Sequence, residues 1–385
     1  MCITTRARWW VILSVVIIFV LAASLLVRPT LAIYWQNQAG GLIAQQLGSN
    51  TAMFPCEIPP LTDPNERSRI QTAMALLDRS IQYEPRFSQS YLLLGHAACL
   101  IGQTERAVEA FQTYARLRPN NPLGYVELGF ARYNLCSDRT EKSARDVSSL
   151  SEIRLCQDTE LLHQIRSDWL AHGIDVNQFL TSARQAFENL QYADADLWYL
   201  RAAKFELTSI KDMPTPDQYK WAVAAIRSHS SFPQALARLL PIHDLDRSST
   251  ILAGELHLFR ENPNHTLNYG DPVASKSVDH HTAGIMYYGG QAGVFIDVKQ
   301  DGWYQISIQA QNTPPAPVIL LVESDFQPFG KIELTRGDGS WQVFQFKVNL
   351  QANMHLLDIN YINDGMVNDV DRNAVIEWIK IEKKG

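Results

Sequence analysis

Three kinds of hydrophobic patterning follow one another along the chain. Trp9 to Val27 is a run of nineteen residues without a charge, long enough to cross a hydrocarbon core of ~30 Å as a helix. Ile33 to Leu47 extends that helix outward, weakened by Gly40-Gly41, and Pro55, Pro59, Pro60 and Pro64 then make an extended spacer. From Asn65 to Leu240 the apolar positions recur at spacings that suit packed helices. From Ile251 onward short apolar runs recur about every ten residues, at 255–259, 293–298, 303–310, 317–323, 330–334, 341–348, 354–362 and 374–381. Gly289-Gly290, Asp301-Gly302, Pro314-Pro315 and Gly337-Asp338-Gly339 fall between them, which is the rhythm of an antiparallel β-sandwich. Within it, Tyr304, Ile306, Ile308 and Ala310 share one face, as do Phe344, Phe346 and Val348.

The helical stretch contains a repeat. Tyr91, Leu94 and Gly95 recur as Tyr125, Leu128 and Gly129, and Ala73, Leu77 and Pro85 recur as Ala107, Phe111 and Pro119, each pair 34 residues apart. This pattern resembles tetratricopeptide repeats, in which the glycine lets two helices approach, the alanine lies at their crossing and the proline ends the second helix. Phe179, Ala183, Ala195, Tyr199 and Ala202 fit the same template, but Phe179 follows Tyr125 by 54 residues, so about twenty residues are inserted. The polar run Ser137 to Ser151 is the expected insert, placed near 137–155. Cys136 and Cys156 flank it, and a bridge between them would close it off. Cys56 and Cys99 form a second possible pair, and buried thiols are the alternative for all four. Leu161, Ile165 and Trp169 mark the second helix of the interrupted repeat. Tyr219 to Ile226 and Gln234 to Leu240 form a last helical pair, and Pro241 to Ser249 reads as a linker.

The expected architecture is therefore a multidomain α + β chain: a membrane segment at 1–32, a juxtamembrane helix and Pro-rich spacer at 33–64, an α-solenoid at 65–245, and an antiparallel β-sandwich of jelly-roll type at 246–385. Arg6 and Arg8 precede the apolar run and Arg28 follows it, a bias toward a cytoplasmic N-terminus. An uncleaved signal-anchor is expected, with cleavage after Thr30-Leu31-Ala32 as the alternative. Either way the bulk of the chain lies outside the cytoplasm, where disulfides persist. A net charge of −6 and a pI near 5.9 give no general basic field, so nucleic acid is not an expected partner.

Candidate chemistry gathers in one stretch, Asn363-Asp364-Gly365-Met366-Val367-Asn368-Asp369-Val370-Asp371-Arg372-Asn373, which carries three carboxylates and three carboxamides in eleven residues. An oxygen-rich loop held between two strands suits a hard cation, because calcium takes six to eight oxygen ligands without strict geometry. A plain Asn/Asp/Gly turn is the alternative. No Gly-x-Ser-x-Gly, phosphate loop or dinucleotide fingerprint is present. His280-His281 has no partner at metal-ligand spacing, and no pair of carboxylates suggests a glycosidase cleft. The chain is expected not to be an enzyme.

Tyr361-Ile362-Asn363-Asp364, Asp371-Arg372-Asn373 and the closing Val375-Ile376-Glu377-Trp378-Ile379-Lys380-Ile381 resemble calcium-dependent carbohydrate-binding modules of the xylan-binding type, families 36 and 60, with family 35 as a relative. Asp297 to Ala310 and Trp341 to Val348 match the same families in place and pattern, so the resemblance covers roughly residues 251–385. It implies a loop calcium coordinated directly by sugar hydroxyls. Its ligands would be Asp364, Asp369 and the carbonyl of Asn368, with Asp371 as the alternative to Asp369. It also implies glycan contacts from Tyr287, Tyr288, Asn363, Arg372 and Asn373. Glu255 and Glu377 lie where related modules bind a second, structural ion, but solvated edge carboxylates are the preferred reading there. The expected function is a membrane-anchored, extracytoplasmic binding protein that holds a polysaccharide through calcium and a protein partner through the solenoid. A structural or accessory factor whose sandwich binds protein is the alternative.

Overall fold

The computed structural model describes residues 5–47, 54–143, 156, 158–205, 210–259, 269–278, 281–286, 289–313, 317–367 and 370–384. It divides into two compact units, Met1–Val147 with Arg154–Val176, and Ser148–Ile153 with Asn177–Gly385.

The first unit is helical: α1 (Thr5–Leu47), α2 (Pro64–Tyr83), α3 (Ser88–Leu100), α4 (Thr104–Leu117), α5 (Pro122–Ser143) and α6 (Thr159–Ala171). Local chemistry sets the starts. The Asp63 carboxylate accepts from Asn65 N at 2.8 Å with Pro64 in the first turn, and the Asp158 carboxylate accepts from Leu161 N at 3.0 Å. Consecutive helices pack on one another, α1 on α2, α3 on α4 and α5 on α6 among them. The 34-residue pattern has a physical counterpart here. A Cβ on Gly95 would come within 2.4 Å of the Phe111 ring, and one on Gly129 within 2.4 Å of the Trp169 ring. Both crossings are thus close enough to demand glycine, and Ala73 and Ala107 are both fully buried. The expected insert is shorter as a loop than its polarity suggests, because α5 continues through Ser137 to Ser143.

The expected membrane span falls on α1. Among the described residues no helix is long and apolar enough to cross a membrane. The side chains of residues 5–13 and 18–26 lie outside those described, and the expected membrane helix is without support in the structure.

Two disulfides tie the first unit together, Cys56–Cys99 with α-carbons 4.9 Å apart and Cys136–Cys156 with α-carbons 5.3 Å apart. Both separations suit an unforced bridge. Closing a loop of this length stabilises by about 3 kcal/mol in the chain-entropy account. A Cys136→Ser/Cys156→Ser double variant should therefore lose about that much in urea denaturation of the full chain; an unchanged midpoint would contradict it.

The second unit begins with α7 (Gln178–Glu188), α8 (Tyr192–Phe205), α9 (Thr215–Arg227) and the short α10 (Gln234–Ala237). The ends of α3, α6, α7 and α9 close with one hydrogen-bond pattern. At α7, Gln191 N donates to Ala186 O at 2.9 Å and Leu190 N to Phe187 O at 3.0 Å; at α3, Gln103 N donates to Ala98 O and Gly102 N to Cys99 O. This turn needs a left-handed residue. Gly102 and Gly173 supply it at α3 and α6, with φ of 73° and 76°. At α7 the same position is Leu190, φ 60°, and at α9 it is His229, φ 55°. A left-handed leucine costs about 1–2 kcal/mol, and Leu190 is also 70% exposed.

The β part holds β1 (Ile242–Leu245), β2 (Ser248–Leu252), β3 (His257–Leu258), β4 (Ser275–Val278), β5 (His281–Met286), β6 (Gly290–Val298), β7 (Gly302–Thr313), β8 (Val318–Ser324), β9 (Gln327–Leu334), β10 (Gln342–Leu350), β11 (Met354–Tyr361), β12 (Met366–Val367), β13 (Val370–Asp371) and β14 (Asn373–Lys384). One sheet runs β1-β6-β11-β8-β9 with β3 also on β6. The other runs β10-β7-β14-β5-β4 with β2 also on β14, and β12-β13 form a separate hairpin. Between the sheets lies one apolar core. Tyr304, Ile306, Ile308, Ala310, Ile379 and Ile381 come from one side, and Ala292, Val294, Ile296, Leu320, Val322 and Ile359 from the other. The expected linker Pro241 to Ser249 is corrected. Ile242 to Leu245 pairs parallel with β6 and Ser248 onward pairs with β14, because Leu245 and Ile251 both bury their side chains in that core.

The outer face of the β6-β11-β8 sheet is covered, not solvated. Tyr219 on α9 packs against Phe259 and Phe295 at centroid distances of 5.7 and 5.9 Å. Beside these rings Asp358 and Glu323 are direct cross-strand partners, both buried. Gln291 Nε2 donates to Glu323 Oε2 at 2.9 Å and to Asp358 Oδ2 at 3.2 Å. Burial first, and the Glu323 charge next, push the Asp358 carboxyl well above its ordinary range. An unfolded chain ionises this group near pH 4. Its contribution to stability is therefore full below about pH 4 and is lost as pH rises toward the folded value. Asp358→Asn keeps the shape and a donor to Glu323. It should raise unfolding free energy at pH 7.5 and flatten the pH dependence above about pH 4. Equal slopes in variant and parent would refute the protonated pair.

Candidate functional site

β11 ends at Tyr361 and β14 begins at Asn373, and the acidic stretch spans the gap. Its middle folds back as β12 on β13, with Met366 opposite Asp371 and Val367 opposite Val370. The base is braced to β8. Asn363 Oδ1 accepts from Ile319 N at 2.7 Å, Asn363 Nδ2 donates to Pro317 O at 3.1 Å, and Ile362 N donates to Ile319 O at 3.2 Å. The Tyr361 hydroxyl donates to Arg372 O at 2.8 Å. Burial first, then the Asp364 charge, raise that hydroxyl's pKa; Asp371 adds to this and Arg372 opposes it. Both carboxylates therefore act on one buried phenol.

Arg372 does not neutralise them. Its Nε donates to Gly365 O at 3.2 Å and its Nη1 to Pro317 O at 3.5 Å. Among the described residues neither the Asp364 nor the Asp371 carboxylate takes part in a hydrogen bond or an ion pair, and Asp364 is exposed. The one guanidinium of the stretch is thus spent on carbonyls, and the carboxylates are left uncompensated. That donor set fits a hard cation. Asn368 and Asp369, two of the four expected ligands, lie outside the described residues. Among the described residues no group of three or more His, Cys, Asp or Glu is placed to hold a metal ion.

The expected glycan contacts divide. Asn363 and Arg372 brace the stretch through hydrogen bonds to backbone partners. Tyr287 and Tyr288 lie outside the described residues. They follow Met286, which pairs with Ala374, and they precede Gly289, where a Cβ would sit 3.1 Å from Asp364 Cβ. Asn373 stands directly opposite Thr313, and its Oδ1 is buried with no partner. It has company that the sequence reading missed. Gln311 Oε1, both amide atoms of Asn312, Thr313 Oγ1, Ser340 Oγ and Gln342 Nε2 are buried and unpartnered in the same end of the sheet. Buried polar groups without partners call for water or a ligand. Trp341 lies at this rim, its ring against Ala283, Ile285 and Val375. The signal in the sequence was Gln311-Asn312-Thr313, three polar residues closing an otherwise alternating strand.

Of the two carboxylates expected near a second ion, Glu255 Oε2 accepts from Leu252 N at 2.6 Å within a short 3-10 turn, Ala253–Glu255. This turn also interrupts the expected strand at 255–259. Glu377 accepts from Gln309 Nε2. Both are served by protein donors. His280 lies outside the described residues, as does the side chain of His281.

Residues 305–385 match the family described as calcium-dependent, xylan-binding carbohydrate-binding module CBM60. The match supports glycan binding by the C-terminal sandwich. It takes in Gln311 to Thr313, Trp341 and the whole acidic stretch. Among solved structures, the chain is similar to a CBM36-1 domain of a multidomain xylanase from the hindgut metagenome of Trinervitermes trinervoides. That likeness has 10% identity and a TM-score of 0.26, covering 36% of this chain and 98% of that one. A family 35 carbohydrate-binding module from Clostridium thermocellum matches at 14% identity and a TM-score of 0.25, covering 36% and 98%. The C-terminal CBM6 of LamC from Zobellia galactanivorans matches at 16% and 0.26, covering 35% and 99%. Likenesses at such TM-scores decide nothing about this chain. No curated protein matches it.

Asn363→Ala should remove the two side-chain bonds among the three that fix the base of the stretch, lowering stability by about 1–3 kcal/mol. It should also speed hydrogen exchange at Ile319 N. Exchange unchanged at Ile319 would contradict the bracing role.

Proposed function

We propose that the protein is a membrane-anchored, extracytoplasmic, non-catalytic binding protein whose sandwich holds a polysaccharide through a calcium ion in the 363–373 stretch. The observation that carries this reading is the pair of uncompensated carboxylates, Asp364 and Asp371, beside a rim of buried polar atoms without partners. Sugar hydroxyls are weak ligands and compete poorly with water. A calcium held by few protein oxygens keeps open positions, and its flexible shell accepts paired vicinal hydroxyls. Asp364 and Asp371, with Asp369 and the Asn368 carbonyl, would hold the ion. Asn373 and its neighbours on β7 would take further hydroxyls, and Trp341 offers a ring for a pyranose face. The helical pairs fit the tetratricopeptide pattern and are assigned to a protein partner. Residues 9–27 are assigned to the membrane.

Retention of the full chain on insoluble xylan tests the sugar reading. Retention should require calcium, disappear with excess chelator and fall at least about tenfold in Asp364→Ala without a change in unfolding temperature, since removing one carboxylate from a partly exposed ion site costs more than about 1.4 kcal/mol. Polymers with free equatorial 2,3-diols should be favoured. Retention that persists in chelator, or is untouched by Asp364→Ala, would refute it.

A further inference from the structure

A chamber of about 510 Å³ lies within the second unit, away from the acidic stretch, between α7–α9 and the outer face of β6 and β11. That volume is in the range of sites that enclose a small ligand. Its walls are rings. Tyr269, fully buried, meets Phe187 edge-on at 5.6 Å and Phe259 at 6.0 Å. Its floor is polar and directional. Asn360 Oδ1 is buried and has no partner. Gln291 gives its amide hydrogens to Glu323 and Asp358, which turns its carbonyl oxygen away from that pair. The Arg227 guanidinium carbon lies 3.4 Å from the Phe326 ring centroid and 4.6 Å from that of Tyr192, and its Nη1 donates to the Tyr192 hydroxyl. Its Nε is buried and without a partner.

The mouth carries a separate sign. Leu190 lines it, largely exposed, and occupies the left-handed position that Gly102 and Gly173 fill in the matching turns. Strain kept at a cavity mouth, with an apolar side chain left in water, points to a contact not made within the chain.

We propose that this chamber is a second, calcium-independent site that takes a neutral pyranose. Lys220 and Glu188 also line the chamber, so its cations face a carboxylate, and two carbonyl acceptors beside the Arg227 N–H suit hydroxyls, which donate and accept together. The rings suit the apolar faces of a sugar. The site stands apart from the polymer-binding reading of the acidic stretch.

Saturation-transfer NMR on the full chain in excess chelator tests this, with the methyl glycosides of glucose, galactose, mannose and xylose as probes at millimolar concentration. At least one should receive saturation. Asn360→Ala should weaken it about tenfold, the loss of one well-placed hydrogen bond. Leu190→Gly should raise the unfolding temperature yet weaken binding. Asp364→Ala should leave binding unchanged, so a failed calcium site and a failed chamber are distinguishable. The proposal is overturned by any of four results: no transfer to any glycoside, transfer in Asn360→Ala and Leu190→Gly as strong as in the parent, transfer lost in Asp364→Ala, or displacement by methyl glucuronide in preference to the neutral sugars.

Discussion

The antiparallel pairing of β14 with β7 is the constraint on which the sandwich and its candidate site depend. It runs from Asn373 opposite Thr313 to Lys384 opposite Trp303, with one bulge between Ile376 and Trp378. Because side chains alternate, a slip of one residue would turn every core position outward. Ile306, Ile308, Ile379 and Ile381, all fully buried, hold the register against that slip. The same register sets Asn373 opposite Thr313, Asn312 opposite Ala374, and Met286 opposite Ala374 on the other side. The residues that form a polar rim are therefore placed by packing several residues away.

Polar groups left unserved are informative because most of this unit serves its own. Asn363 and Arg372 spend their donors on carbonyls, and Asp325 receives Leu356 N at 2.8 Å and faces His355 at 2.6 Å. Against that background, unpartnered buried atoms gather in two places within the unit: the rim at Gln311, Asn312, Thr313 and Asn373, and the covered sheet face at Asp358, Asn360 and Arg227. A buried polar group without a partner costs about 1–3 kcal/mol. Two concentrations of such cost are what binding sites awaiting water or a ligand would leave.

Much of the fold was legible in the sequence where the constraint is local. Gly95 and Gly129 announce close helix crossings because no other residue fits beneath the Phe111 and Trp169 rings. Strand alternation at Tyr304, Ile306, Ile308 and Ala310 announces the core face. The acidic stretch was visible from composition, although which of its amides are braces depends on β8, more than forty residues earlier for Asn363. What stayed hidden is set by non-local register. Asp358 and Glu323 meet only because β11 pairs with β8, and Ile242 to Leu245 reads as a linker until β6 offers it an edge. Leu190 looks like an ordinary helical leucine, and only its backbone reveals the strain.

Calcium binding on the 363–373 stretch, as proposed, depends on the Asp364 and Asp371 carboxylates. Calorimetric titration of calcium into the full chain, compared with Asp364→Ala and Asp371→Ala, tests it most directly. A saturable site is expected in the parent, with an affinity that drops in Asp364→Ala. Heats that are absent in the parent, or identical in all three proteins, would contradict it.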